Sequence, residues 1–151
     1  MKPDINTAIV FSAQEISTRF LPLLKEEYDQ SRLGSWGGLM LIASLQLDSA
    51  ADNLYKENQQ MCEWFLLKEA LIKDPDLLNR IKETRSKELE DIKISTLDAH
   101  NQILRLLFVE IQTFFEEQED TVSLKESWII LRAMHGHRKI SPLLSMLQNK
   151  T

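Results

Sequence analysis

Hydrophobic residues recur every three or four positions along most of this chain. No segment sustains the two-residue alternation of a half-buried strand. Two stripes are long. Leu47, Ala51, Leu54, Asn58, Met61, Phe65, Lys68 and Ile72 step by four and three in turn, as do Leu97, Asn101, Leu104, Phe108, Ile111 and Phe115. That spacing keeps one helix face turned toward a neighbour and marks the seam of an antiparallel bundle or coiled coil. Ile103, Leu107 and Phe114 flank the second stripe, so its helix is expected at the centre, touching more than one neighbour.

Punctuation is sparse, and with the periodicity it predicts helices over 5–33 (kinked near Pro22), 38–73, 76–92, 96–119 and 124–148 (interrupted near Gly136). Gly34-Ser35-Trp36-Gly37-Gly38 reads as a Gly-rich loop opening the second helix, with backbone N–H groups that could hold an anion. Asp74-Pro75 reads as an N-cap followed by a proline at the first helical position. Ser95-Thr96-Leu97-Asp98 and Ser123-Leu124-Lys125-Glu126 resemble capping boxes, Gly136 a helix end, and Ser141-Pro142 the start of a last helix. The segment 76–92 mixes charges of both signs around Ile81 and Leu89, which predicts a solvated peripheral helix or a continuation of the one before it. Short links at 93–95 and 120–123 make neighbouring helices antiparallel. The expected fold is all-α: an up-down antiparallel bundle of four to five helices, in one domain spanning 1–151.

Composition narrows this further. The chain holds 24 Leu and 13 Ile against 3 Val, with only 4 Gly and 4 Pro in 151 residues. Collagen-like, disordered and β-sandwich chains need more Gly and Pro, more net charge, or more β-branched residues. The net charge of −5 argues against a general nucleic-acid binder. The one cysteine, Cys62, sits in a helical pattern without a Gly-rich turn or a histidine beside it, so it reads as a small core hydrophobe and suits a reducing cytoplasm. The longest apolar run, Leu39–Ala43, falls well short of the roughly 20 residues of a membrane span. A cytoplasmic protein with no membrane segment is expected.

Asn58 and Asn101 interrupt otherwise apolar seams. A buried Asn costs stability unless hydrogen-bonded, but it can fix register and oligomeric state. They read as a polar contact between the two seam helices or across a dimer, or as the edge of a rotated seam. Trp36, Trp64 and Trp128 are expected as core or rim anchors, and an exposed one would mark an interface. Asn58, Asn101, Trp36 and Trp128 are therefore the interface candidates.

Of the three histidines, His100, His135 and His137, no two stand at metal-ligand spacing on a helix, and no Glu-x-x-His motif occurs. No metal and no cofactor is expected. From Ser127 to Thr151 there is no Asp or Glu, while Arg132, Arg138, Lys139 and Lys150 fall there. Pairing of these cations with acids of the same chain or of a second copy is the expected use. A small-molecule reading is also open, with a bundle cavity lined by Met61, Trp64, Phe65 and Phe108.

One short motif bears on catalysis. Arg132-Ala133-Met134-His135-Gly136-His137 resembles the Arg-x4-His motif of the HEPN superfamily, small all-α domains that often act as RNases in toxin–antitoxin and defence systems. The resemblance covers six residues and the helical class. It implies that Arg132 would stabilise phosphate charge and His137 would move protons at a dimer groove. That family usually has a polar residue after the Arg, where this chain has Ala133. On a regular helix the two side chains stand about 140° apart, so their convergence requires a distortion at Gly136. With no other catalytic constellation in the sequence, the first expectation is association with a like subunit or a helical partner, and the RNase is the alternative.

Overall fold

The computed structural model describes residues 4–139, apart from the side chain of Asp48, and among them there is helix and no strand. Six helical elements of five residues or more occur, against the four or five predicted. They are α1 (Ile5–Glu15), a π-helical segment (Ile16–Phe20), α2 (Glu27–Lys68), α3 (Pro75–Ser86), α4 (Ile94–Glu117) and α5 (Thr121–His137), with short 3-10 turns at Leu21–Leu23 and Glu69–Leu71. The helix start at Ser141-Pro142 and the far end of the 124–148 helix lie outside the described residues.

The described residues up to Ser49 belong to one compact unit and Ala50–Arg138 form another. In the first unit the helix predicted over 5–33 is not continuous. The α-helix stops at Glu15, widens into the π segment and passes through a 3-10 turn holding Pro22. Leu24 is then extended, and α2 starts at Glu27. A proline ring collides with the carbonyl four residues before it, so an α-helix cannot run unchanged through Pro22.

The predicted Gly-rich loop at 34–38 is absent, because α2 runs unbroken through Gly34, Gly37 and Gly38. Its N–H groups are therefore spent on the helix, and the anion-holding turn goes with the loop. Each glycine costs a helix about 1 kcal/mol relative to alanine, but Gly37 has a packing role. A Cβ there would stand 3.3 Å from Ile16 Cγ2 and 3.4 Å from Ser17 Oγ, tighter than most side-chain contacts. The preceding segment folds back onto α2 at this point, where Ala13 is fully buried.

The second unit holds the core. Met61, Trp64 and Phe65 of α2 pack with Leu104, Phe108, Ile111 and Phe115 of α4, Leu77 and Ile81 of α3, and Met134 of α5. Trp64 and Phe108 meet at 4.9 Å between ring centroids and tilt by 45°. Both stripes thus turn inward from Asn58 and Leu97 onward, whereas Leu47, Ala51 and Leu54 are only half-buried. Helix α4 is central. Arg80 of α3 donates to both carboxylate oxygens of Glu110 on one side, and Gln112 Nε2 donates to Ser127 Oγ of α5 at 2.8 Å on the other. Helix α3 ends at Ser86 and is separated from α2 by the turn before Asp74, so it is neither a continuation of α2 nor wholly peripheral. Cys62 packs half-buried against this core, and burial pushes its thiol pKa up.

Caps explain the remaining boundaries. Asp74 accepts from the N–H groups of Asp76 and Leu77, with Pro75 at the first helical position. The boxes predicted at 95–98 and 123–126 do not cap their helices. Helix α4 begins after Lys93 without a side-chain cap, and Asp120 caps α5, accepting from Val122 and Ser123 at 3.1 Å each. Ser123 lies inside the first turn and donates its hydroxyl to Asp120 instead. Helix α5 continues through Gly136 to His137.

The link from α4 to α5 is a tight one. Asp120 N–H bonds to Phe115 O at 2.9 Å and Glu119 N–H to Glu116 O at 3.1 Å. This pair of hydrogen bonds closes the end of α4 as a Schellman motif. It places Glu119 at φ 54°, a left-handed conformation unfavourable for a residue with a Cβ. Glu119→Gly is expected to raise unfolding free energy by roughly 0.5–1 kcal/mol. Urea denaturation checks this, and an unchanged or lower midpoint contradicts it.

Candidate functional site

The chemistry-bearing side chains of the second unit gather where the C-terminus of α5 meets α2 and α4. Glu57 of α2 is only 2% exposed. Its Oε2 accepts from Arg138 Nη2 at 2.5 Å and from Asn101 Nδ2 at 3.4 Å. His137 Nδ1 stands 3.4 Å from Glu57 Oε1, without the alignment of a hydrogen bond. Asn101 Nδ2 also donates to Asn58 Oδ1 at 2.8 Å, and Asn58 Nδ2 donates to the Leu97 carbonyl at 3.0 Å. One polar layer therefore ties α2, α4 and the end of α5 together inside an apolar seam.

Each member is placed by local structure. Asn58 and Asn101 occupy seam positions, so both point between the helices, and they meet within one chain. Glu57 precedes Asn58 on the same helix and is carried under α5. Arg138 is the C-cap residue of α5, a place where cations also offset the helix dipole. An isolated carboxylate would be costly at this depth. The guanidinium of Arg138, itself 45% exposed, supplies the countercharge and keeps contact with water.

This arrangement holds one edge of the His137 imidazole beside a carboxylate, as in sites where a histidine transfers protons. Arg132 does not join it. It is exposed, makes no ion pair among the described residues, and lies on a helix that stays regular through Gly136, where convergence with His137 needed a distortion. The cation beside His137 is Arg138, its immediate neighbour. Among the described residues no three His, Cys, Asp or Glu side chains form a group that could hold a metal ion.

The other predicted residues separate. Trp64 is core, Trp128 is half-exposed on α5, and Trp36 is 59% exposed in the first unit. The four side chains named for a ligand cavity pack on one another in the core. Met61 and Phe108 also floor an open groove of about 260 Å³ between α4 and α5. Trp64 floors another of about 350 Å³ between α2 and α5, walled by Leu67, Ile129, Ile130 and Ala133.

Sequence reasoning missed Glu57 and Lys68 as buried, ion-paired charges. Lys68, read as part of an apolar stripe, is buried and reaches Glu126 of α5 at 2.6 Å. A charge on or beside a seam was the available signal for both. His100 was also left as an ordinary histidine. It is 8% exposed, and its Nδ1 is buried without a partner. Burial, aided by the charge of Lys87, pushes its pKa down.

No helix among the described residues is long and apolar enough to cross a membrane. Comparison of the chain with protein-family models, with curated proteins and with solved structures finds no match in any of the three.

Two outcomes are expected. Arg138→Ala strands the Glu57 carboxylate and lowers unfolding free energy by about 2–3 kcal/mol. Adding Glu57→Gln to it recovers part of that loss, and chemical denaturation of both variants reads the difference. Because the folded state holds His100 below the ordinary value near 6.5, it takes up that proton less readily than the unfolded chain. Stability present above that value is lost as pH falls through the folded pKa. His100→Gln should flatten the decline between about pH 7 and pH 5, and parallel slopes for the two proteins contradict this origin.

Proposed function

We propose that this protein works by association, presenting an apolar helix face to a like subunit or to a helical partner. The observation that carries this reading is the exposure of large apolar side chains in the first unit. Ile5, Phe11, Leu23, Tyr28, Trp36 and Leu39 are all exposed by more than half, whereas Ala13, Gly37 and Ser44 are the buried positions among its described residues. A segment that buries only small residues leaves its hydrophobic gain uncollected, and contact with another helix would supply it. An up-down antiparallel packing of the second unit, in keeping with its short α4–α5 link, is the frame we adopt for that unit.

A second reading is supported by the closeness of Glu57 to His137. In it the chain is a HEPN-like RNase in which His137 moves the proton and Arg132 meets phosphate. The position of Arg132 favours association over it.

Light scattering after gel filtration, with affinity capture, distinguishes the two. Wild-type protein is expected as an oligomer or with a bound partner, and Trp36→Glu with Leu39→Glu is expected to weaken the association made through the first unit. A strict monomer that captures nothing overturns association. Cleavage of cellular RNA that is lost in both Arg132→Ala and His137→Ala would establish the nuclease instead.

A further inference from the structure

We infer that α5 is a self-association surface, on which the α5 helices of two copies lie antiparallel about a two-fold axis at Ile129. The inference rests on the association reading above but uses a different surface, in the second unit.

Helix α5 turns Ser123, Ser127 and Met134 into its own unit, and the face turned away from them is exposed or half-buried among the described residues, with Glu126 at its edge paired to Lys68 of α2. That face carries Val122, Glu126, Ile129, Ala133 and Gly136, spaced four, three, four and three, which is again the spacing of a helix seam. Val122 and Ile129 are 66% and 65% exposed. Among the described residues nothing stands within 4 Å of where a Cβ on Gly136 would be, so this end of the face is open to close approach. Beside it runs the α2–α5 groove, with apolar walls and an acidic rim of Glu63 and Glu126.

Charge decides the occupant. In an antiparallel pair centred on Ile129, residues three before and three after the axis oppose one another. The residue three after is Arg132, which makes no ion pair among the described residues, and the residue three before is Glu126. Glu126 gives one carboxylate oxygen, Oε2, to Lys68 and retains the other. The same operation sets Lys125 opposite Ala133, which lines the groove that also holds Glu63. Val122 falls opposite Gly136, a bulky residue over a flat one. The face is thus complementary to itself in sign and shape, which an isologous contact requires and a general apolar patch does not provide. It also uses a cation from the acid-free C-terminal stretch, Arg132, that makes no ion pair among the described residues. One helix face buries less than the roughly 1,600 Å² of a standard interface, so a concentration-dependent dimer is expected.

Sedimentation equilibrium across a concentration series tests this on the full chain. Ile129→Asp and Arg132→Glu should each raise the dimer dissociation constant by roughly tenfold or more. Leu106→Asp, on the outer face of α4, should leave it unchanged, and circular dichroism verifies that each variant is folded. In a Cys62→Ser background, Ile129→Cys should be joined between copies by a short bismaleimide, and Leu106→Cys should not. Wild-type association in folded Ile129→Asp, or absence of the Ile129→Cys cross-link, overturns the α5 contact. If Trp36→Glu alone then dissociates the protein, the first-unit surface stands without α5. A monomer at every concentration that also captures no partner overturns both.

Discussion

The structure of the second unit depends on the registration of α2 against α4 by one polar layer set in an apolar seam. Leucine and phenylalanine seams tolerate sliding by a turn, because one apolar contact replaces another. The pair Asn58–Asn101 does not tolerate it, because displacement would bury amide groups without partners. With that register fixed, Trp64 and Phe65 fall against Phe108, and Phe115 closes the other end of the core. Helix α4, held along one side, can then offer Glu110 to α3 and Gln112 to α5.

Glu57 extends this layer to the third helix. Its carboxylate is held by a residue 81 positions away in sequence, at the end of α5. Buried ion pairs contribute little net stability, since desolvation offsets the Coulombic gain, but removal of one partner is costly. The ion pair therefore specifies where α5 ends on α2 more than it strengthens the fold. The same is true of Lys68 and Glu126, which bind the other end of α5 to α2. Ion pairs thus tie α5 to α2 near both of its ends, while Val122, Ile129 and Arg132 stay exposed. His137, positioned beside Glu57, is the one histidine with a neighbouring carboxylate among the described ion pairs.

The two units satisfy their hydrophobic residues differently. The second buries aromatics in a closed core, while the described part of the first buries small residues and leaves large ones exposed. Gly37 lets α2 and the preceding segment approach closely, but close approach of two helices covers only one side of each. The apolar residues on the remaining sides are what make association the favoured reading.

The sequence by itself determined the helical class, the two seams and the capping of α3 by Asp74, while it left Asn58 and Asn101 either between the helices or at the edge of a rotated seam. These follow from spacing and local chemistry, which do not require knowledge of the neighbour. It misjudged Gly34–Gly38, because glycine's local cost to a helix is small and a tertiary contact at Gly37 outweighs it. It misjudged the start of α5, because Ser123 matched a capping pattern that Asp120 satisfies better once the Schellman turn has set its position. The burial of Glu57 was signalled only by its place beside a seam. A glutamate next to a seam reads as a solvated charge, and only the arrival of α5 from far along the chain covers it and brings Arg138 and His137 to it. Spacing decided which faces are buried; the tertiary structure decided which charges are buried with them, because a countercharge can come from any point in the chain.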